Sequence, residues 1–481
     1  MGKHSMSIIH TKAGKLTLFP YVIKTDLAGP DSESHRIGAE MGRLLVPERR
    51  SDPDSRLIEL AFVRMKSTSR QPGPPLVFLA GGPGISGIDN LRSETLYPWF
   101  EVLRQVGDVI ALDQRGTGLS NPRLDCLESW DLPLDRPDSR EEVLRVGCEK
   151  IRICVNFWRQ QGVDLAGYTT EESADDIEDL RKALGYDTLN LYGASYGSHL
   201  ALATIKRYGA HISRAVLAMV EGLDHTIKLP SNIQRHIGQL NALVKADPYW
   251  RTRIPDLLEL MQSIFEKLER EPVTVSVTDR HTKENVAVCA GKFDLQLLTA
   301  RDLCTQSFIA KLPARYYAMA QGDFSWLAAR TLSRRREWIG NAMSYVMDGA
   351  SGVSPERYAR IQHEAPQTLL GDLINFPFPE IANAWECPDL GPAFRAPFTS
   401  EVPTLFLSGT LDARTPISNA EEVRAGFSYS QHVIVEGATH STAEIVQAAG
   451  VTVAMLDFLR GQAVTMTQSS IPFIFLRESV K

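Results

Sequence analysis

Residues 188–208 read TLNLYGASYGSHLALATIKRY and carry the pattern that decides the fold. The apolar run that ends at Tyr192 is typical of a buried strand, and the segment that begins at Tyr196 predicts a helix. Between them stands Gly193-Ala-Ser195-Tyr-Gly197, which matches G-x-S-x-G. A sharp turn here exposes a serine above the sheet edge, beside the positive end of the helix. We therefore predict that Ser195 is a nucleophile, with an ordinary turn serine as the alternative.

Apolar runs alternate with amphipathic helices on both sides of this turn. A helix with capping-box chemistry is predicted to begin at Ser139, a second, acidic in its first turns, is predicted over 169–184, and a last helix is predicted over 442–460. Such alternation is typical of an α/β fold, with a mostly parallel sheet and helices on both faces. The predicted strands are 16–23, 40–46, 57–66, 76–80, 108–113, 188–192, 215–220, 403–408 and 432–436.

The alternation of strands and helices is interrupted near the middle of the chain. Residues 225–395 hold a strongly amphipathic helix at 254–270 and a hairpin within 273–289. A structureless loop of this length is implausible inside a compact domain, so the segment predicts an inserted, mainly helical domain. The sheet domain is then formed by two parts of the chain, 1–224 and 396–481.

Asp412 and His440 follow the predicted strands 403–408 and 432–436. A lone histidine is more often surface or core, and an aspartate in such a loop usually makes a turn. The carboxyl ends of parallel strands, however, meet at the edge where sites form in open α/β sheets. The chain order Ser, Asp, His is also that of one known triad. We therefore predict that His440 takes the proton of Ser195 and that Asp412 holds the imidazole tautomer.

The segment Ala80-Gly-Gly-Pro-Gly84 follows another buried strand and supplies backbone amides at the same predicted edge. Glycines there let N–H groups face a developing oxyanion, and each such donor is typically worth about 3 kcal/mol. We predict Gly82 as the first donor, with Gly81 as the alternative, and the amide of Tyr196 as the second. A simple turn is the competing interpretation of the glycines.

The composition argues against several classes of function. Lys and Arg number 52 and Asp and Glu 58, a net charge of −6, whereas a nucleic-acid binder needs a dense basic surface. The cluster Arg334-Arg335-Arg336 is predicted to be a solvated helix face. No apolar run approaches the roughly 18–20 residues that cross a bilayer. No dinucleotide-binding glycine motif and no metal-ligand constellation are evident, so we expect no cofactor and no metal.

The six cysteines are too sparse for a disulfide scaffold and include no CxxC pair. Buried thiols are expected for most of them, with one or two disulfides as the alternative. Because no export signal is visible, we expect a cytoplasmic location. A removed signal, or disulfides, would indicate the periplasm or a secreted protein instead. The cysteines stand at positions 126, 148, 154, 289, 304 and 387.

Five motifs occur in an order that points to a known family. They are AGGPG at 80–84, DQRGTGLS at 113–120, GASYG at 193–197, DARTP at 412–416 and GATH at 437–440. Together they resemble the α/β-hydrolase fold and, more narrowly, the proline iminopeptidase and tripeptidyl aminopeptidase-like group. The resemblance implies a helical cap over the site and hydrolysis of peptides with a free amino terminus, or of esters. It also implies that the Asp and Arg of DQRGTGLS are structural supports.

The chain departs from this group at two places. Iminopeptidases usually carry His where this chain has Ala80, and relatives often have Asp-Gly where it has Glu221-Gly222. The amine-binding carboxylates of such peptidases lie in the cap, and no acid of this insertion matches them by motif. Glu221 and Asp224 are substrate-binding candidates by position, with ordinary solvated carboxylates as the alternative.

Three functions follow from these patterns. The first is a serine hydrolase that forms an acyl-enzyme, an aminopeptidase that releases N-terminal residues or short peptides. The second is a carboxylesterase or lactonase that acts on a hydrophobic small molecule with the same triad. The third is a non-catalytic binding protein on the same fold. The expected partner is a small molecule or a short peptide, with no nucleic acid or membrane partner, and the oligomeric state is left open.

Overall fold

The computed structural model describes residues 12–24 and 36–477. The strands are β1 (Leu16–Lys24), β2 (Arg36–Pro47), β3 (Leu57–Met65), β4 (Leu76–Leu79), β5 (Val109–Asp113), β6 (Leu189–Ala194), β7 (Ile212–Ala218), β8 (Val273–Thr278), β9 (Asn285–Ala290), β10 (Thr404–Gly409), β11 (Ser430–Glu436) and β12 (Gln468–Ser470). The helices are α1 (Gly87–Arg92), α2 (Tyr97–Leu103), α3 (Arg140–Gln160), α4 (Thr170–Leu184), α5 (Tyr196–Tyr208), α6 (Pro230–Ala246), α7 (Leu257–Arg270), α8 (Lys292–Asp302), α9 (Gln306–Ile309), α10 (Leu312–Ala320), α11 (Ser325–Arg335), α12 (Ala342–Ser351), α13 (Pro355–Glu364), α14 (Gly391–Arg395), α15 (Ile417–Arg424), α16 (Thr442–Gln447) and α17 (Val451–Leu459). Among these helices, none has the length and apolar character that a membrane crossing requires.

Ten of these strands form one sheet in the order β1-β2-β3-β5-β4-β6-β7-β10-β11-β12. All neighbours from β5 to β12 pair in parallel, whereas β1, β2, β3 and β5 pair antiparallel in that sequence. The prediction of a mostly parallel sheet is therefore confirmed. Since parallel strands point the same way, β4, β6, β10 and β11 end at one edge of the sheet.

Helices cover both faces of this sheet, as the continuous apolar strands require. Val77 and Leu79 of β4 pack into a cluster with residues of α4 and α5. Their neighbours Leu76 and Phe78 point to the other face and pack with residues of α1, α2 and α17. Successive side chains of a strand alternate between faces, so a four-residue apolar strand fills two cores at once.

The helices α3 and α4 begin at the predicted positions, and each has an N-cap residue. Ser139 Oγ accepts a hydrogen bond from the amide of Glu142 at 3.2 Å. Thr169 Oγ1 accepts one from the amide of Glu172 at 3.3 Å. Each bond satisfies an amide of the first turn that has no partner within the helix. Gly185 ends α4 with a φ of 72°, in the left-handed region that favours glycine.

Nine helices, α6 to α14, and the β8–β9 hairpin lie between β7 and β10 in the described chain. Below, the cap means residues 225–395. A segment of the sheet domain pairs with the cap. The amide of Cys126 donates to the carbonyl of Gly340 at 2.8 Å, and the amide of Trp130 donates to the carbonyl of Glu337 at 3.0 Å. The cap helices share an apolar cluster that includes Ile237, Leu240, Leu257, Met261, Phe265, Leu298, Tyr316 and Leu327.

The predicted solvated face at residues 334–336 is wrong for two of its three arginines. Arg334 and Arg335 are buried at the end of α11. Arg335 lies 3.1 Å from Asp138 and 3.0 Å from Asp294, and Arg334 contacts the same two carboxylates. Buried charges of opposite sign offset each other's desolvation, and these partners are distant in sequence. The cluster therefore fastens the cap to the start of α3.

The predicted helix over 442–460 is divided into α16 and α17. Gly450 separates them with a φ of 76°, which an α-helical backbone cannot adopt. Beyond α17, β12 extends the sheet by pairing in parallel with β11. Phe475 then packs into the apolar cluster of the cap, and the amide of Leu476 donates to the carbonyl of Ala310 at 2.8 Å. The end of the described chain thus links the sheet to the cap.

Cys126 and Cys154 form a disulfide. One or two disulfides were the alternative to the expected buried thiols, and two of the six cysteines follow that alternative. The other four are free thiols, and Cys289 and Cys304 are buried. The bond connects the segment that pairs with the cap to the helix α3. Disulfides are typical of proteins in oxidising compartments. A disulfide was the feature that, in the sequence analysis, would favour a periplasmic or secreted protein over a cytoplasmic one.

Candidate active site

Ser195 occupies the turn between β6 and α5 with a φ of 56° and a ψ of −125°. This conformation is rare for a residue other than glycine and costs roughly 1–3 kcal/mol, a strain that tends to occur at functional sites. A Cβ on Gly193 would lie 2.3 Å from the carbonyl oxygen of Gly197, and one on Gly197 would lie 2.0 Å from that of Leu79. Both flanking positions therefore require glycine, which explains the G-x-S-x-G pattern.

The structure brings Ser195, His440 and Asp412 together at the carboxyl edge of the sheet. His440 Nε2 lies 2.9 Å from Ser195 Oγ. On the other side of the ring, His440 Nδ1 lies 2.9 Å from Asp412 Oδ2 and 3.1 Å from Oδ1. These contacts form one continuous chain from hydroxyl to imidazole to carboxylate. Such a chain can move a proton from the serine to the imidazole while the carboxylate stabilises the imidazolium.

Asp412 is buried and well supplied with hydrogen-bond donors. Its Oδ1 accepts from the amides of Arg414 at 2.8 Å and Thr415 at 3.0 Å, and its Oδ2 accepts from Thr415 Oγ1 at 2.7 Å. Burial by itself would raise the pKa of Asp412, but the charge of His440 and these hydrogen bonds outweigh it and lower the pKa to about 2. The carboxylate is therefore ionised at neutral pH and can only accept from His440 Nδ1.

Two further groups hold the loop of His440, and sequence reasoning missed both. The amide of His440 donates to the carbonyl of Cys304 at 3.1 Å, so the cap contacts this loop directly. The amide and the hydroxyl of Thr439 donate to Glu444 Oε2 at 2.6 and 2.7 Å. Glu444, five residues after Thr439, could have been found as the acidic residue at the start of a predicted helix. The Cys304 contact carries no sequence signal.

Gly81 and Gly82 lie beside the nucleophile turn. A Cβ on Gly81 would approach the carbonyl oxygen of Ala194 to 2.9 Å and Ser195 Cβ to 3.2 Å, so this loop packs against the turn. Gly82 has a φ of 114°, in the region that favours glycine. The amide of Tyr196 is the first of α5, and first-turn amides have no acceptor within a helix. The predicted oxyanion donors, Gly82 or Gly81 and Tyr196, thus lie on the two segments that meet at the nucleophile turn.

Asp113 and Arg115 contact neighbouring structure. Asp113 is buried and accepts from Ser86 Oγ at 2.7 Å and from the amide of Ile88 at 3.0 Å, which fixes the start of α1 after the glycine loop. Arg115 is fully buried and makes two hydrogen bonds, of 2.8 and 2.6 Å, with the carboxylate of Asp176. Both contacts are structural, as the resemblance implies.

Glu221 and Asp224, the predicted substrate-binding residues, have partners within the protein. Glu221 is buried, and its Oε2 lies 3.1 Å from the ammonium of Lys228. Burial would raise the pKa of Glu221, but the charge and hydrogen bond of Lys228, together with His199 and His225, lower the pKa below its ordinary value. Asp224 accepts from the amide of Ser354 at 2.7 Å and from its hydroxyl at 2.5 Å. Both carboxylates therefore already have partners within the protein.

A cavity of about 410 Å³ lies next to this site and is lined mainly by residues of the cap. Gly82 and Pro83 on the glycine loop and Arg414, two residues after Asp412, also line it, whereas the three triad residues are not part of its lining. Asp348, on α12, lines the cavity and was missed by sequence reasoning. Burial is the main cause that raises the pKa of Asp348, to about 7, although Lys228 and Arg414 act in the opposite direction. The sequence does contain one feature that could have pointed to Asp348: it is an acidic residue in a mainly apolar helical segment, at the end of the run Tyr-Val-Met-Asp over 345–348.

The poorly solvated carboxyl of Asp348, which is partly exposed to the cavity, should cost stability, so Asp348→Asn is expected to raise the free energy of unfolding at about pH 8 by about 1–3 kcal/mol. Its pKa rises from 3.8 to about 7 on folding. Because the folded protein binds this proton more tightly than the unfolded chain, the contribution of Asp348 to the free energy of unfolding is fully present below about pH 4. It is lost as the pH rises through about 7. Urea unfolding of both proteins at about pH 5 and about pH 8 measures the effect. An equal difference at both pH values would contradict the raised pKa.

Comparison with known proteins identifies the fold family. Residues 74–444 match the model of the alpha/beta hydrolase fold. Among curated proteins, the chain is similar to the putative hydrolase YuaR of Escherichia coli, with 29% identity over 175 residues, 36% of this chain and 33% of that protein. It is 30% identical to serine protease Hip1 of Mycobacterium tuberculosis over 190 residues, 37% of this chain and 35% of Hip1. It is 28% identical to the tripeptidyl aminopeptidase of Streptomyces coelicolor over 192 residues, 38% of this chain and 35% of that enzyme.

The matched region spans about a third of the length of each of these relatives. The family model, in contrast, covers most of the chain, from the strand β4 to the helix α16. It includes the glycine loop, the nucleophile turn and the loops of Asp412 and His440. With its mostly parallel sheet and its helices on both faces, this chain belongs to the α/β-hydrolase family.

Proposed function

We propose that the protein is a serine hydrolase that works through an acyl-enzyme. His440 Nε2 takes the proton of Ser195 as Ser195 Oγ bonds to the carbonyl carbon of the substrate. The amides of Gly82, or Gly81, and Tyr196 stabilise the oxyanion. His440 then protonates the leaving group, whose bond to carbon breaks. In the second half a water gives one proton to His440 and its hydroxyl to the acyl carbon; the bond between that carbon and Ser195 Oγ then breaks, and His440 returns the proton to Oγ. The 2.9 Å contacts on both sides of the His440 ring carry this proposal.

We further propose that the substrate is a peptide with a free amino terminus and that the protein belongs to the tripeptidyl aminopeptidase-like branch. Two observations support this assignment. The relatives include proteins named serine protease and tripeptidyl aminopeptidase. In addition, Asp348 places a carboxyl group in the cavity that the glycine loop also lines. An ammonium group of the substrate would pair with this carboxylate, and burial strengthens such a pair.

Blocking the substrate amine tests the peptidase assignment. Acetylation of an aminoacyl anilide is expected to lower kcat/KM by about 10–100-fold, because a hydrogen bond to a charged group is worth about 1.5–3 kcal/mol. Asp348→Asn should lower kcat/KM by a similar factor for the free amine and leave the acetylated substrate nearly unchanged. Steady-state kinetics of both proteins with both anilides measure this.

A matched control is Glu337→Gln, which changes another acid of the same cavity. Glu337 already pairs with Arg301 at 3.0 Å, so its substitution should preserve the preference for a free amine. If wild-type protein cleaves free and acetylated anilides equally well, the aminopeptidase assignment fails. If only Glu337→Gln removes the preference, Asp348 is not the partner of the amine.

The second candidate is a carboxylesterase or lactonase that acts on a hydrophobic small molecule. The aromatic lining of the cavity, which includes Trp130, Tyr345, Phe376 and Phe378, favours it. The proposed chemistry at Ser195 is the same, because both reactions transfer an acyl group to water. Simple acyl esters added to the anilide assay separate the two: an esterase cleaves them fast and is insensitive to acetylation of an amine. The short contacts of His440 argue against the third candidate, a non-catalytic binding protein.

A further inference from the structure

A short strap of the sheet domain and a segment of the cap together form one wall of the cavity. The two segments run antiparallel: the amide of Ile339 donates to the carbonyl of Glu128 at 2.9 Å, and that of Trp130 donates to Glu337 at 3.0 Å. This pairing places two indole rings, Trp130 and Trp338, on the lining of the same cavity.

Trp338 is the more unusual of the two rings because 63% of its surface is exposed. A tryptophan offers about 150–250 Å² of apolar surface, and its exposure forgoes the free energy of burial. Exposed apolar patches at a concave site commonly mark a binding surface, and Trp338 shares the lining of the cavity with four other aromatic rings. The ring lies where a ligand that enters the cavity would cover it.

The charged side chains that line this part of the cavity already have partners. Arg301 pairs with Glu337 at 3.0 Å, and Lys228 pairs with Glu221 at 3.1 Å. Arg334 lies 3.2 Å from Asp294. These charges are balanced within the protein, so the two indoles, and no unpaired charge of these three pairs, are what this wall offers to a ligand. Five apolar or aromatic residues continue it: Ile339, Tyr345, Ile374, Phe376 and Phe378.

We propose that Trp338 and Trp130 form the subsite for a large apolar or aromatic side chain on the acyl part of the substrate. The inference rests on the proposed function, since it names the substrate class of the same site. The acyl part is assigned because Gly82, on the glycine loop that packs against the turn of Ser195, lines the same cavity as the two indoles. Its volume of about 410 Å³ lies within the roughly 300–1,000 Å³ that is usual for small-ligand pockets.

Substrates that differ only in the side chain test the subsite. Wild-type protein is expected to cleave phenylalanyl and leucyl anilides with a kcat/KM about tenfold or more above that of the alanyl anilide. Trp338→Ala should lower kcat/KM for the phenylalanyl anilide about tenfold, mainly through KM, and change the alanyl value less than about twofold. Trp338→Phe, which keeps an aromatic ring, should restore most of the preference.

Tyr429→Ala is the matched control. Tyr429 is exposed to a similar extent, 64%, but precedes β11 and therefore lies at the amino edge of the sheet, opposite the site. It should leave both substrates unchanged. An equal loss for phenylalanyl and alanyl anilides in Trp338→Ala, or no loss for either, would overturn the subsite.

Binding without turnover separates this inference from the proposed chemistry. In the Ser195→Ala variant, phenylalanine amide should bind about tenfold more tightly than alanine amide by calorimetry, and Trp338→Ala in the same background should remove the difference. Equal affinities for the two amides would reject the subsite even if fluorophosphonate labels Ser195. The reverse pattern, preferential binding without labelling of the wild-type protein, would support the subsite and reject the hydrolase mechanism.

Discussion

Ser195→Ala is expected to lower kcat by about 10⁶ and to abolish covalent labelling by a fluorophosphonate. The methyl group has no lone pair to attack a carbonyl and no proton to pass to His440 Nε2, which lies 2.9 Å from the hydroxyl in the wild-type protein. The residues that hold the turn, Gly193 and Gly197, are untouched, so the fold should persist. Labelling followed by mass spectrometry, together with steady-state kinetics and a thermal unfolding curve, measures all three effects.

Ser307→Ala provides the control for this experiment. Ser307 is an exposed serine of the cap that has no contact with His440 among the described residues. This variant should keep its labelling and its turnover. Persistent labelling of the Ser195→Ala protein would mean that another side chain is the nucleophile, and the proposed mechanism would then be wrong.

The fold could be predicted because its signals are local. The apolar run before Ser195, the glycines around it and the helix after it are contiguous, and each constrains the backbone on its own. The meeting of Ser195 with Asp412 and His440 followed from one general property, the shared edge of parallel strand ends. To apply this rule, one must know the order of the strands and helices along the chain, but not the contacts between their side chains.

The binding residues could not be predicted in the same way, because their roles depend on contacts between distant segments. Asp224 looks available in the sequence, yet Ser354, 130 residues away, satisfies its carboxylate. Arg334 and Arg335 look solvated in the sequence, yet they are buried and form ion pairs with Asp138 and Asp294 where the cap meets the start of α3. Composition and periodicity report how polar a residue is, whereas these outcomes depend on which partner the cap brings to it.

Asp412→Asn is expected to lower kcat by about 10⁴ with little change in KM. In the wild-type protein the ionised carboxylate accepts from His440 Nδ1 at 2.9 Å, which leaves Nε2 without a proton and able to take that of Ser195. An amide nitrogen at this position would donate to Nδ1 instead, so the proton would sit on Nε2 and the imidazole could not act as the base. Asp187→Asn, at an exposed turn before β6 and far from the site edge, should keep full activity. Single-turnover kinetics and the rate of fluorophosphonate labelling measure the loss at the acylation step; a loss below about tenfold would show that Asp412 does not orient His440.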